Sequence, residues 1–226
     1  MLFPARRPDV VRSHAIQWLP IAAEDPAPGT FQAVVTALKH PGAAVHLPQP
    51  DSLPWPLNSA SAALLATWVN PETPVWTDLC WDSDPAAWLQ QTCACSLVTE
   101  PCMARVAFVA DPLRIPPLGQ FCLGEDDRPE SSTTIILQVN GFSVANGRLR
   151  DVFGRGRSRQ SWPTGLPPRF WSDWDDQRRY LPLGIDVFFT CADEMVALPR
   201  GRQLTDVSTD RPAMTSQKKQ RQRLKA

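Results

Sequence analysis

Apolar residues recur along this chain with two different periods. Between residues 30 and 39, Phe31, Val34, Val35 and Leu38 fall at i, i+3, i+4 and i+7, the spacing of one helical face. Thr30 is suited to cap that helix, and His40-Pro41-Gly42 stops it. A short strand over 44–47 and a proline-rich loop over 48–56 follow. A second helix is expected from Asn58 or Ser59. It carries Ala62, Ala63, Leu64, Leu65 and Trp68, and Asn70-Pro71 ends it. Residues 73–77 read as a strand. Asp84-Pro85 sets an N-cap before a proline at the first helical position and predicts a helix to about Gln91.

Further along, β-branched and aromatic runs dominate. Residues 104–110 (ARVAFVA) and 133–139 (TTIILQV) predict buried strands. Between them, 111–132 reads as a long loop with an acidic patch at Glu125-Asp126-Asp127. Asn146-Gly147 signals a hairpin between 142–144 and 149–153. Residues 167–179 look helical, with Phe170, Trp171 and Trp174 on one side. Two apolar runs, Val187–Phe189 and Met195–Leu198, flank the polar turn Ala192-Asp193-Glu194 and predict a β-hairpin. It ends at Pro199, which cannot donate to a ladder. Early helices and later strands give an α/β domain with a mixed sheet.

The chain has 226 residues, which suits one domain with extra segments at its ends. Formal net charge is zero, but Lys218, Lys219, Arg221, Arg223 and Lys225 cluster in the tail with no acid among them. Zero less those five cations leaves residues 1–217 at −5. A mildly acidic body argues against a nucleic-acid-binding domain. The tail has the charge for polyanion binding but no aromatic residue for base stacking, so a solvated, disordered segment is expected. The N-terminus lacks the continuous apolar stretch of a signal peptide, and no run approaches a membrane span. A cytoplasmic location with reduced cysteines is expected.

Candidate chemistry is sparse. The six cysteines show no C-x2-C spacing. Cys93, Cys95 and Cys102 with a histidine make a conceivable metal set, against the simpler reading of small buried hydrophobes, and no metal is expected. His14, His40 and His46 all lie early, no G-x-S-x-G elbow occurs, and both glycine-rich phosphate motifs are missing. No catalytic residue is assigned. The run Gly154–Arg159 (GRGRSR) is the one candidate for anion binding, through backbone N–H groups and the side chains of Arg155 and Arg157; the alternative is a solvated basic turn. Asp186 stands directly before the apolar run Val187–Phe189. A carboxylate there needs a cation or several N–H donors, and Arg200 or Arg178 are the candidates.

Five collinear segments carry a family resemblance. The stretch 182–200 (PLGIDVFFTCADEMVALPR) resembles a C-terminal signature of the PhnH family, a subunit of the bacterial carbon–phosphorus (C–P) lyase core complex. Residues 31–47, 57–76, 133–139 and the GRGR turn are similar to other family segments in the same order. On that resemblance the chain divides into an irregular extension over 1–20, a PhnH-like domain over 21–202 and a basic tail over 203–226. There are departures. Gln32 stands where the family commonly has arginine, Thr92 where it has histidine and Ser96 where it has proline, and GRG replaces Gly-Pro-Gly.

The resemblance implies an α/β fold similar to the large domain of pyridoxal-phosphate-dependent transferases. Those enzymes need a Schiff-base lysine. Of the four lysines here three are in the tail, and Lys39 closes a helix; no pyridoxal phosphate is therefore expected, and with no cluster-binding cysteine motif no other cofactor is expected either. It further implies an accessory, non-catalytic role in phosphonate catabolism. The family's partners are the G, I and J subunits and an ATP-binding-cassette-like protein. The assembly couples a phosphonate to the ribose of ATP with loss of adenine, before a radical iron–sulfur subunit cleaves the C–P bond. A homodimer is expected for the isolated chain. The alternative is an enzyme in its own right, acting on a phosphonate or phosphorylated molecule held near Arg155 and Arg157. For Asp186 the Gly-Ile-Asp of the signature favours a structural anchor over a site or interface role.

Overall fold

The computed structural model describes residues 26–50, 52–144 and 161–201. Its centre is a seven-stranded sheet formed by β1 (Val45–His46), β2 (Pro74–Thr77), β3 (Ser96–Leu97), β4 (Val106–Val109), β5 (Thr134–Gln138), β8 (Asp186–Cys191) and β9 (Glu194–Leu198), in the order β1-β9-β8-β5-β4-β2-β3. Strands β3, β2, β4, β5 and β8 are mutually parallel. β9 runs antiparallel to both β8 and β1, so β1 points the same way as β8. The sheet is thus mixed, with one reversed strand.

Both faces of this sheet are covered, which explains the unbroken apolar runs of its central strands. Successive side chains alternate between two separate cores. Phe108, Ile136, Phe188 and Met195 belong to one, under helices α1 (Pro26–Lys39), α2 (Ser59–Trp68) and α3 (Asp84–Cys93). Ala107, Ile135, Leu137, Val187 and Phe189 belong to the other, under α4 (Phe170–Asp176) and the short antiparallel pair β6 (Gly141–Val144) and β7 (Ser161–Thr164). The neighbours Phe188 and Phe189 show the division. Phe188 meets Trp68 edge-on with ring centres 4.7 Å apart, and Phe189 meets Phe170 at 5.7 Å on the opposite face.

Several expectations need correction. α1 begins at Pro26 rather than Thr30, and its buried side is Thr30, Ala33, Val34 and Ala37. Phe31 and Leu38, placed on the core face by periodicity, are exposed. Small residues let the helix lie close to β9 and β1, and the bulkier pair is turned outward. Ser83 rather than Asp84 occupies the N-cap position of α3. The expected loop 111–132 is broken by 3-10 turns at Pro112–Arg114, Leu118–Gln120 and Pro129–Ser131. The two-residue β3 was not anticipated. β6 finds its partner in β7; the proposed turn Asn146-Gly147 and its return strand lie outside the described residues.

Candidate functional site

Open α/β sheets place ligands at the carboxyl ends of their parallel strands, where successive connections leave in opposite directions. Here that point lies between β2 and β4, because the chain passes from β2 to β3 on one side and from β4 to β5 on the other. Asp78, the residue after β2, reaches across it. Its Oδ1 accepts from the Ala110 N–H at 2.7 Å and its Oδ2 from the Asp111 N–H at 3.0 Å. Two adjacent backbone N–H groups are the donor set that an incoming anion would use. A carboxylate of the chain itself fills it. Burial pushes the Asp78 carboxyl above its usual range, opposed by those backbone bonds and by the charge of Arg114.

The same edge is closed beside β5 and β8. The Gln138 side chain accepts from the Asn58 N–H at 2.8 Å and donates to the carbonyls of Pro56 at 2.9 Å and Ala110 at 3.4 Å. Asn58 caps α2 by accepting from the Ser61 N–H at 2.8 Å. The hydroxyls of Ser61 and Thr190 lie 2.7 Å apart, and both residues are fully buried. Each of these groups finds a partner within the chain, so the network fixes the loop before α2 over the strand ends.

At the margin of this edge His46 Nδ1 lies 2.9 Å from Asp193 Oδ2. Burial pushes the Asp193 carboxyl up, but bonds from His46, Gln49 and its own backbone outweigh it and hold it below the usual range. A depressed folded value gives stability that is present at neutral pH and lost as pH falls through it. Asp193→Asn should therefore flatten the loss of stability below about pH 4, read from urea midpoints across the acid range. An unchanged acid limb would show that the pair contributes nothing.

Asp186 sits at the opposite, amino edge, at the start of β8. Oδ1 accepts from the backbone N–H of Arg200 at 2.8 Å; Oδ2 accepts from Nη2 at 2.6 Å and from Nε at 3.2 Å. Arg200 Nη1 donates to the Pro129 carbonyl at 3.0 Å. Of the two cations considered for Asp186, Arg200 is in contact with it; the side chain of Arg178 is outside the described residues. Gly184, at φ 136°, brings the backbone close to Arg200, and a Cβ there would stand 3.4 Å from Arg200 Cβ.

With this geometry in hand, comparison with known proteins is decisive. A sequence model of the bacterial phosphonate metabolism protein PhnH matches residues 23–205. The chain belongs to the PhnH family. A curated relative from Rhizobium meliloti (strain 1021), the alpha-D-ribose 1-methylphosphonate 5-triphosphate synthase subunit PhnH, is 27% identical over 183 residues, covering 79% of this chain and 90% of the relative.

The departures from the family pattern fall on the surface. Gln32 on α1, Thr92 in the last turn of α3 and Ser96 in β3 are all exposed. Cys93 and Cys95 are buried, and burial pushes the Cys93 thiol up to about 11, so it behaves as an apolar core residue. Lys39 is exposed at the end of α1, just before β1 enters the sheet from the amino edge, away from the carboxyl ends of the strands. Arg155 and Arg157 lie outside the described residues. Asp78, Gln138 and the Ser61–Thr190 pair were not singled out from sequence. For Asp78, Gln138 and Thr190 the only trace is a polar residue at or just after the end of an apolar run.

Proposed function

We propose that this chain is an accessory, non-catalytic subunit of a C–P lyase core complex. That assembly couples a phosphonate to the ribose of ATP, with loss of adenine, before the C–P bond is cleaved. Family membership supports the pathway, and the closed carboxyl edge supports the lack of a catalytic role. The place where an α/β sheet of this order would bind an anionic substrate is filled by Asp78, and the neighbouring strand ends are filled by Gln138 and the α2 cap. The partners in this reading are the G, I and J subunits. The domain is of the pyridoxal-phosphate-transferase type without its cofactor, which the mixed seven-stranded sheet supports. No helix among the described residues is long and apolar enough to cross a membrane, and the chain acts in the cytoplasm.

Asp186 serves in this reading as a structural anchor. The isolated chain pairs with a second copy, which the exposed apolar residues of α1 favour. The test is co-expression with the G, I and J subunits from the same source, followed by size exclusion with light scattering. Co-elution at a fixed stoichiometry is expected. Clean separation of a well-folded chain would overturn the subunit reading.

A further inference from the structure

We propose that the carboxyl edge of the large sheet is the surface by which this chain docks onto another subunit of the assembly, one presenting apolar side chains ringed by lysine or arginine. This rests on the subunit reading above. Three of the most exposed large apolar side chains, Trp55 (68%), Trp81 (55%) and Leu113 (66%), stand on three loops of this one edge. Trp55 precedes α2, Trp81 follows β2 and Leu113 follows β4. The loops are held in fixed relation. Gln138 Nε2 bonds to the carbonyls of both Pro56 and Ala110, and Asp78 bonds to the N–H groups of Ala110 and Asp111. The network that closes the edge to a ligand therefore also presents these side chains from a rigid base. Tryptophans held in place at the surface are the residue type that dominates binding at protein interfaces.

Charge selects the occupant. Asp82 and Asp84 follow Trp81 and Asp111 precedes Leu113, and none of the three forms an ion pair with another described residue. Arg114 is the nearest compensating cation in sequence. Two copies of this chain docked through the edge would set acidic rims against each other. A phosphonate or triphosphate would meet the same charge and find its N–H donors already taken by Asp78. A different polypeptide with a basic rim satisfies both the apolar and the acidic groups.

The test uses the full chain co-expressed with the G, I and J subunits. Trp55→Ala and Trp81→Ala should each weaken association roughly thirtyfold, the level of an interface hot spot, with the thermal midpoint of the free chain unchanged because both side chains are exposed. Asp82→Lys with Asp84→Lys should slow association and reduce its salt dependence. This gives a second reading independent of the tryptophans. Phe31→Ala with Leu38→Ala, on α1, should leave complex formation intact. Wild-type affinity in the tryptophan and charge variants would overturn the proposal while leaving the subunit reading in place. Loss of the complex only in the α1 variant would do the same and move the interface to that helix. Loss only of self-association would make a second copy the occupant, also against the proposal. Failure of the wild-type chain to associate at all would overturn both readings.

Discussion

Asp186→Ala is expected to lower the unfolding free energy by about 3 kcal/mol, the lower end of the range for removing one partner of a buried ion pair. The lower end applies because the carboxylate and guanidinium side chains are 23% and 22% exposed, so water screens part of the lost interaction. The substitution leaves three Arg200 donors without their acceptor, one of them a backbone N–H. It also frees the end of β9 from the start of β8, and weakens the hold of Arg200 on the Pro129 carbonyl. Arg200→Ala should cost less, because the carboxylate keeps its bond from the backbone N–H of residue 200. The double variant should cost little more than Asp186→Ala alone, since one interaction is removed in both. Urea unfolding of the three variants measures this. An unchanged midpoint for Asp186→Ala, combined with loss of co-elution, would place Asp186 in an interface and remove its role as an anchor.

The part of the fold set by short-range pattern was readable in the sequence. The hairpin of β8 and β9 is signalled by two apolar runs either side of a polar turn, and Asn58 with Asn70-Pro71 marks both ends of α2. What the pattern could not supply is a choice between apolar faces. On α1 hydrophobicity favours Phe31 and Leu38, whereas close approach to the sheet favours Ala33 and Ala37, and the second effect wins. Pairing across distance was equally hidden. Residues 161–164 contain Pro163, which argues against a central strand. Among the described residues β6 and β7 pair only with each other, so β7 has an edge on which the missing N–H is tolerated. At the sites, Asp186 was visible because a charge before an apolar run demands a partner. Asp78 was not, because its partners are backbone N–H groups 32 and 33 residues later, which no side-chain motif announces.

Asp78→Ala is expected to cost about 1–3 kcal/mol, because it leaves the partly buried Ala110 N–H without an acceptor, while the Asp111 N–H is exposed and can turn to water. Asp78→Asn should cost less, since its one amide oxygen retains one of the two bonds. The pH dependence carries a definite sign. Burial raises the folded Asp78 value above its unfolded one, so the native state holds this proton more tightly. The contribution of Asp78 to stability is then greatest below its unfolded value, about 3.9, and declines as pH rises through the raised folded value. The stability gap between wild type and Asp78→Asn should narrow as pH rises from the acid range to neutrality. A widening gap would mean that the N–H donors outweigh burial and that the carboxylate is favoured in the fold. The alanine variant also bears on why the edge is closed. With Asp78 gone, the Ala110 and Asp111 N–H groups beside Arg114 form an open anion site, and inorganic phosphate or methylphosphonate should restore part of the lost stability. The wild type, with its own carboxylate in place, should show no such gain. Equal stabilisation of both proteins would place the anion elsewhere on the chain and rule out the Ala110 and Asp111 N–H groups as an anion site that Asp78 occupies.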